Sequence, residues 1–221
     1  LQALRFLTMA TAQAQLTPTS DTTPAVVSVT SELSGPQWVP RFPTSTAVSD
    51  CEAPFDGNLQ AFIDAMKSAG AAVTIAATFR PPERAYLMHW CYRIANEDHD
   101  PRTIPAKAGV NIQWDHRTGD GSYDADNSKR AARAMRDAYG MQNLQTRPAL
   151  NSRHTIGLAV DMNISWSGDL TILNADGAST TINTTPRTGM NTQLKDVGAT
   201  YRVIKYVGGA ADKPHWSDNG H

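Results

Sequence analysis

Three side chains in the second half of the sequence have the types and spacing of metal ligands. His154 and Asp161 lie seven residues apart, and His215 follows further along the chain. Structural zinc usually takes four protein ligands, often cysteines, whereas catalytic zinc takes three and keeps the fourth position for water. Two imidazoles and one carboxylate therefore predict a single zinc ion with hydrolytic chemistry.

The residues around Asp161 alternate in a way that predicts a strand over residues 157–162. One face carries the carboxylate with two small residues, namely Gly157, Ala159 and Asp161. The other face is apolar and consists of Leu158, Val160 and Met162. The small face leaves room for a metal ion and a substrate, and the apolar face suits a core. The glycine also permits a bend that turns the His154 imidazole toward the same centre.

A second carboxylate near His215 has the position of a general base. Asp212 precedes this histidine by three residues, and Pro214 fixes an extended approach between them. A carboxylate that is close to a metal ion but not bound to it can accept a proton from water. A loop acid is the ordinary alternative for Asp212, so the prediction depends on all these residues occurring together in this order.

The spacing resembles that of the VanY-like zinc peptidoglycan peptidases. This family groups D-Ala-D-Ala dipeptidases and carboxypeptidases of the vancomycin-resistance type with phage L-alanyl-D-glutamate endopeptidases. Its pattern is Ser-x-His-x-x-Gly-x-Ala-x-Asp followed by acid-x-x-His. The matching positions are Ser152, His154, Gly157, Ala159, Asp161, Asp212 and His215. The resemblance covers residues 35–221, although residues 95–150 contain no recognisable family motif.

The resemblance implies one Zn²⁺ ion, bound by His154, Asp161 and His215, with Asp212 as the base. Zinc lowers the pKa of water from about 16 to about 7, which makes hydroxide available at neutral pH. The resemblance also implies an α+β fold with a small antiparallel sheet, flanking helices and a zinc cleft, as in the Hedgehog and D-Ala-D-Ala peptidase scaffold.

Other site residues follow from the same resemblance. Family members carry an upstream arginine that stabilises the carbonyl oxygen under attack, and Thr-Phe-Arg-Pro-Pro at residues 78–82 resembles that segment. Arg80 is therefore the expected electrophilic partner. Ser152 and Trp216 are assigned to substrate binding, although a core or pocket-wall position is the simpler interpretation of the tryptophan.

The implied substrate is the peptide stem of peptidoglycan. An L-Ala-D-Glu endopeptidase is favoured because Asp212 and the Pro214-His215 pair are more like the phage-type enzymes, whereas resistance-type enzymes usually have Glu at the base position. D,D-carboxypeptidase and D,D-endopeptidase activities are the alternatives. A non-catalytic, zinc-containing wall-binding module is the alternative of another class, since Hedgehog-like domains use this scaffold without turnover. Either function places the protein in the periplasm or the cell wall.

Composition narrows the choice of partners. The 221 residues include 20 basic and 21 acidic side chains, for a net charge of -1. A nearly neutral chain gives no reason to expect nucleic acid or an anionic membrane as the main partner. No run approaches the roughly 20 apolar residues that a membrane span needs, so a soluble protein is expected.

The chain divides into two parts. Residues 1–34 are predicted to be an N-terminal helix and linker, since residues 17–34 are rich in Thr, Ser and Pro. Residues 35–221 form the predicted catalytic domain. A linker implies a possible targeting or delivery module in a longer chain.

Hydrophobic periodicity and turn residues predict the elements of this domain. Helices are expected at residues 59–70, after Pro81 and Pro82, at 128–139 and near 190–197. Strands are expected at residues 72–79 and 201–207, with a hairpin over 170–184. Residues 97–125 are expected to form a long loop near the cleft.

The remaining histidines and the two cysteines have less specific settings. The histidines lack a second ligand at a suitable spacing and are weak competitors for the metal: His89, His99, His116 and His221. Cys51 and Cys91 either form a disulfide or remain reduced and buried, because their separation in space cannot be judged from the sequence.

Overall fold

The computed structural model describes residues 30–221, of which residues 31–221 form one compact α+β unit. The helices are α1 (Phe55–Ser68), α2 (Pro82–Asn96), α3 (Ala125–Ala138) and α4 (Thr192–Thr200). The strands are β1 (Glu32–Leu33), β2 (Ala72–Ala77), β3 (Ile112–Gln113), β4 (Ala159–Ser165), β5 (Leu170–Leu173), β6 (Ser179–Ile182), β7 (Ile204–Lys205) and β8 (His215–Ser217). Short 3₁₀ turns include residues 36–41, 153–156 and 209–212.

A four-stranded antiparallel sheet in the order β2-β4-β8-β7 is the frame of the fold. Asp161 in the central strand β4 pairs with Ala77 on one side and with His215 on the other. The pairing of β2 shifts between Ile75 and Ala77, which is a bulge just before the chain leaves the sheet. This register places Ala77, Asp161 and His215, which are far apart in the sequence, side by side across three strands.

Two hydrophobic clusters hold the elements together. The sheet core lies between the sheet and the helices α1 and α4, with Phe62, Met162 and Trp216 among its members. The helical core joins α2, α3 and the turn at Pro36–Arg41, with Trp38 and Trp90 among its members. The helices predicted from apolar stripes and the hairpin predicted near Gly177 are all present.

Strand β4 is shifted from its predicted position. It begins at Ala159, and Gly157 lies outside it in a left-handed conformation with φ 70°. The alternation holds from there on, since Val160 and Met162 are buried in the sheet core while Asp161 faces the other way. The predicted strand at residues 201–207 is reduced to Ile204–Lys205.

The long loop expected at residues 97–125 is only partly a loop. It contains a 3₁₀ turn at Pro101–Thr103 and the strand β3, which pairs in parallel with β1. Trp114 is buried, and its indole donates a hydrogen bond to the hydroxyl of Tyr86. The folded unit therefore also includes residues 31–34, a few residues before the predicted boundary at 35. Residues 1–29 of the predicted helix and linker lie outside the described residues.

The two cysteines are unpaired thiols in different clusters. Cys51 is in the sheet core and Cys91 is in the helical core. Burial raises the pKa of the Cys51 thiol to about 11, and nearby Asp56 adds to this effect. Of the two alternatives, the structure has the reduced and buried one. Within residues 30–221, the helices are too short or too polar to cross a bilayer.

Close packing around Gly198 in α4 generates a stability prediction. A Cβ atom at this position would lie 2.8 Å from Trp216 Cζ3 and 2.8 Å from the carbonyl oxygen of Val203. We expect Gly198→Ala to lower the free energy of unfolding by about 1–3 kcal/mol, because overpacking displaces core groups. Gly57→Ala in α1 is the control, since its Cβ would meet no atom within 4 Å, and it should stabilise by about 0.5 kcal/mol. Urea denaturation measures both, and equal effects would contradict the packing described.

Candidate metal centre

Three ligand-type atoms converge on one point above β4. His154 Nε2 lies 3.2 Å from Asp161 Oδ1 and 3.2 Å from His215 Nδ1, and His215 Nδ1 lies 3.3 Å from Asp161 Oδ1. Ligands at about 2.0–2.2 Å from a tetrahedral zinc ion are about 3.3–3.5 Å from one another. The observed triangle therefore has the dimensions that zinc requires. Among the described residues, it is the one cluster of three or more potential His, Cys, Asp or Glu ligands.

The protonation of His154 is set by a backbone carbonyl. Its Nδ1 donates a hydrogen bond of 2.6 Å to the carbonyl oxygen of Thr78, which can only accept. In the neutral ring, Nε2 is then unprotonated, and its lone pair points at Asp161 and His215. A metal-binding histidine is commonly oriented in this way by a hydrogen bond from its other nitrogen.

Local backbone geometry places His154. It lies in the 3₁₀ turn Arg153–Ile156, which ends at Gly157. A Cβ atom on this glycine would come within 3.0 Å of the backbone nitrogen of Glu52, so both the left-handed φ and the close contact require glycine. The bend predicted after His154 is confirmed here. The backbone N–H of Arg80 also donates to the His154 carbonyl at 3.0 Å.

His215 is oriented by a second carbonyl. Its Nε2 donates to the backbone oxygen of His221 at 3.2 Å, which leaves Nδ1 unprotonated toward the centre. The His221 backbone is itself held, because its N–H donates to the hydroxyl of Ser217 at 3.0 Å. His221 thus contributes through its main chain, and the sequence gives no sign of this.

Asp161 remains ionised between the two rings. Burial raises the pKa of this carboxyl, but hydrogen bonds and positive charge from His154 and His215 in their protonated form outweigh burial and hold the pKa below its usual value; a metal ion in place of those protons would likewise keep the carboxyl ionised. The site therefore presents one negative charge and two imidazole lone pairs to its centre. Such a set of donors suits a divalent cation.

Asp212 lies at the exposed rim of the centre, in the turn Gly209–Asp212. Partial desolvation and the neighbouring charge of Asp161 raise the pKa of its carboxyl, while His215 and Lys205 act in the opposite direction. Its carboxylate is therefore close enough to interact electrostatically with the ligands, and it is absent from the ligand triangle.

Arg80 brings a positive charge to the same place. It lies shortly after β2, which ends at Ala77, and its side chain is half-buried. Burial lowers its pKa, while the charge of Asp161 acts against that change. Within residues 30–221, its guanidinium makes no hydrogen bond or ion pair with another side chain. An arginine keeps its charge in proteins, so this group is available to an anionic or carbonyl oxygen from outside the chain.

The two residues assigned to substrate binding have different positions. Ser152 lines a cavity of about 540 Å³ next to His215, together with Thr155 and Ile156. Trp216 is 0% exposed and packs against Phe62 in the sheet core. A substrate beside the triangle would not contact this tryptophan, which occupies the core position that was its simpler interpretation.

His89, His99 and His116 lie away from the triangle, and the side chain of His221 is not among the clustered ligand groups. His89 donates from Nδ1 to the carbonyl of Pro148, and His116 bonds to the hydroxyl of Ser34. His99 packs against Trp90 with a centroid distance of 5.0 Å. The described structure therefore leaves the three chosen ligands without a histidine competitor.

Two neighbouring residues of the site were missed by sequence reasoning. Tyr206 follows β7, and its ring meets that of His215 edge-on at 5.7 Å, which extends the row of Ala77, Asp161 and His215 across the sheet. Lys205 belongs to β7 and is buried, and burial lowers its pKa to about 8 while Asp212 opposes this. Residues two apart in a strand share one face. The position of Lys205 two residues after the buried Val203 was therefore the signal that the sequence offered for its burial.

Comparisons with known proteins add little. No protein-family model matches the chain, and no curated protein matches it. Among solved structures, the chain is similar to a mutant of the vancomycin resistance D,D-pentapeptidase VanY in complex with Zn(II), with 16% identity and a TM-score of 0.32 over 76% of this chain and 71% of that one. Functional inference therefore rests on the residues and geometry of the site.

The triangle predicts specific zinc binding. We expect the purified protein to bind one zinc ion and His154→Ala to weaken binding by more than about 100-fold, since loss of an outer-shell partner alone typically costs about 10–100-fold. The control is His99→Ala, which alters a histidine outside the cluster. Competition with a chromogenic chelator measures the affinities. Equal weakening in both variants would contradict the assignment.

Proposed function

We propose that this protein is a zinc metallopeptidase that cleaves peptide bonds in the peptidoglycan stem. The observation that carries the proposal is the triangle of His154, Asp161 and His215, with separations of 3.2–3.3 Å and both imidazole tautomers fixed by backbone oxygens. Three ligands leave one tetrahedral position for water or substrate, as in catalytic zinc sites.

The residues around the triangle supply the remaining parts of a hydrolytic reaction. When bound, zinc makes water acidic enough to supply hydroxide at neutral pH and polarises a carbonyl. Asp212 takes the proton of the attacking water and delivers it to the departing amine. Because its pKa is raised by desolvation and by Asp161, Asp212 holds this proton more readily than an ordinary aspartate would.

Arg80 has the role of stabilising the oxyanion that forms when the carbonyl is attacked. Its guanidinium lacks a protein partner among residues 30–221, interacts with the charges of Asp161 and Asp212, and is partly shielded from water. A positive group aimed at developing charge lowers the barrier most in such a shielded site. The guanidinium is bonded to no group of opposite charge among residues 30–221, and the oxyanion of the reacting substrate provides that partner.

Support for peptidoglycan as the substrate comes from the sequence pattern that begins at Ser152 and ends at His215, which resembles VanY-like peptidases. We propose an L-Ala-D-Glu endopeptidase, because Asp212 occupies the base position as in the phage-type enzymes. D,D-carboxypeptidase or D,D-endopeptidase activity is the alternative for the bond. The proposed place of action is the periplasm or the cell wall, with a targeting or delivery domain possible in a longer chain.

The alternative of another class is a zinc-containing wall-binding module without turnover. Such a module would need the three ligands but neither a base nor an unpaired arginine beside them. The presence of both Asp212 and Arg80 at the centre favours the enzyme.

Purified sacculi test the function directly. The zinc-loaded protein and its chelator-treated form are incubated with sacculi, and the released muropeptides are identified by mass spectrometry. New amino groups on D-Glu, after cleavage from L-Ala, would identify the L-Ala-D-Glu endopeptidase. Release of free D-Ala would identify the D,D-carboxypeptidase, and conversion of cross-linked muropeptide dimers into monomers would identify the D,D-endopeptidase. Zinc-loaded protein that binds intact sacculi without any release would favour the wall-binding module.

The role of Asp212 predicts a loss of turnover without loss of metal. We expect Asp212→Asn to reduce kcat by about 10²–10⁴, the usual contribution of general acid-base catalysis, while zinc affinity and thermal stability stay close to those of the wild type. Asp196→Asn on the exposed face of α4 is the matched control. Loss of zinc together with activity in Asp212→Asn would assign this residue to the metal instead.

The role of Arg80 predicts a graded effect. We expect Arg80→Met to lower kcat/KM by about 10²–10³, the typical loss for one oxyanion donor. Arg80→Lys should retain part of the activity, because it keeps the charge but not the planar fork. Steady-state kinetics on a soluble stem peptide measure both, with exposed Arg133→Met as the control. Full activity of Arg80→Met would rule out the assigned role.

A further inference from the structure

Lys205 combines deep burial with an unusual set of partners. It lies on β7, is 4% exposed, and directs its ammonium group at three backbone oxygens of the segment 212–215. The Nζ atom donates to the carbonyls of Asp212 at 3.3 Å, Lys213 at 2.5 Å and His215 at 2.8 Å. An ammonium has three N–H donors, so all of them are used on the stretch that connects the candidate base to the third ligand.

This arrangement is poorly explained by stability alone. Within residues 30–221, Lys205 forms no ion pair with a carboxylate, and burying a charge without an ionic partner is unfavourable. The ring of Trp216, at 5.3 Å, offsets part of this cost. An apolar side chain of similar length would fill the same space without desolvating a charge, but it could not bind three carbonyls.

The three hydrogen bonds matter most for Asp212. His215 belongs to β8, which pairs with both β4 and β7 and is secured by the sheet itself. Asp212 lies outside the sheet, in a turn whose neighbouring backbone bonds are long, at 3.3 Å from Gly209 N to Tyr206 O and 3.4 Å from Ala211 N to Gly208 O. Through these hydrogen bonds, Lys205 connects this turn to β7.

We infer that Lys205 is a positioning residue that fixes Asp212 relative to the metal ligands by binding the carbonyls of Asp212, Lys213 and His215. The expected effect on turnover rests on the proposed function, whereas the expected effect on the position of Asp212 does not. Removing the ammonium displaces the base and leaves the ligand triangle intact. Turnover then falls while metal binding is retained.

Lys205→Met tests this inference, with Lys67→Met on the exposed side of α1 as the matched control. We expect kcat on a soluble stem peptide to fall by about 10–100-fold with little change in KM, since a misplacement of about 1 Å can cost about 10²-fold. Zinc affinity and the visible spectrum of the Co(II)-substituted protein should match the wild type. Amide hydrogen exchange over residues 209–214 should become faster, and Lys205→Arg, which keeps N–H donors, should recover part of both losses.

The outcomes separate a positioning role from a purely structural one and from failure of the proposed function. A lower melting temperature with unchanged kcat and unchanged exchange over 209–214 would overturn the inference, as would an altered Co(II) spectrum. If Lys205→Met does not fold, the same readouts on Lys205→Gln decide. If the wild type hydrolyses no stem peptide, the proposed function fails. The inference about Lys205 is then still decided by Lys205→Met: faster amide exchange over residues 209–214 with an unchanged Co(II) spectrum supports it, and unchanged exchange contradicts it.

Discussion

Mutual repulsion among three electron-pair donors is the constraint on which the site depends. The lone pairs of His154 Nε2 and His215 Nδ1 and the charge of Asp161 face one another at 3.2–3.3 Å. Without a cation or a proton between them, these atoms repel. Backbone oxygens of Thr78 and His221 hold the rings in this orientation, so the fold supplies the rigidity and the proposed zinc ion would supply the attraction.

Sheet register is what brings these atoms together. Ala77, Asp161 and His215 are directly paired across three antiparallel strands. A slip of one residue would turn Asp161 into the sheet core and place Met162 at the centre. Burial of Val160 and Met162 opposes such a slip, because it would expose both to water. The hydrophobic core thus specifies the position of the carboxylate, which a fold of the same shape with a different register would not do.

The sequence could predict much of this because the ligands are named side chains in a recognisable order. Their convergence, the bend at Gly157 and the apolar helices all follow from residue type and spacing. The contributions of Thr78 and His221 could not be predicted, since a backbone oxygen has no residue signature. Lys205 was overlooked because its partners depend on the pairing of β7 with β8. The structure in residues 97–125 was missed because β3 pairs with a segment about 80 residues away.

The order of the ligands along the chain has a consequence for biosynthesis. His154 and Asp161 are made early, but His215 follows His154 by 61 residues and lies on β8, the last strand of the described structure. A nascent chain that ends before Asp212 has only two ligands and also lacks the expected base. It cannot assemble the centre, however well its first strands have folded. The proposed peptidase would therefore become active only after β8 has entered the sheet.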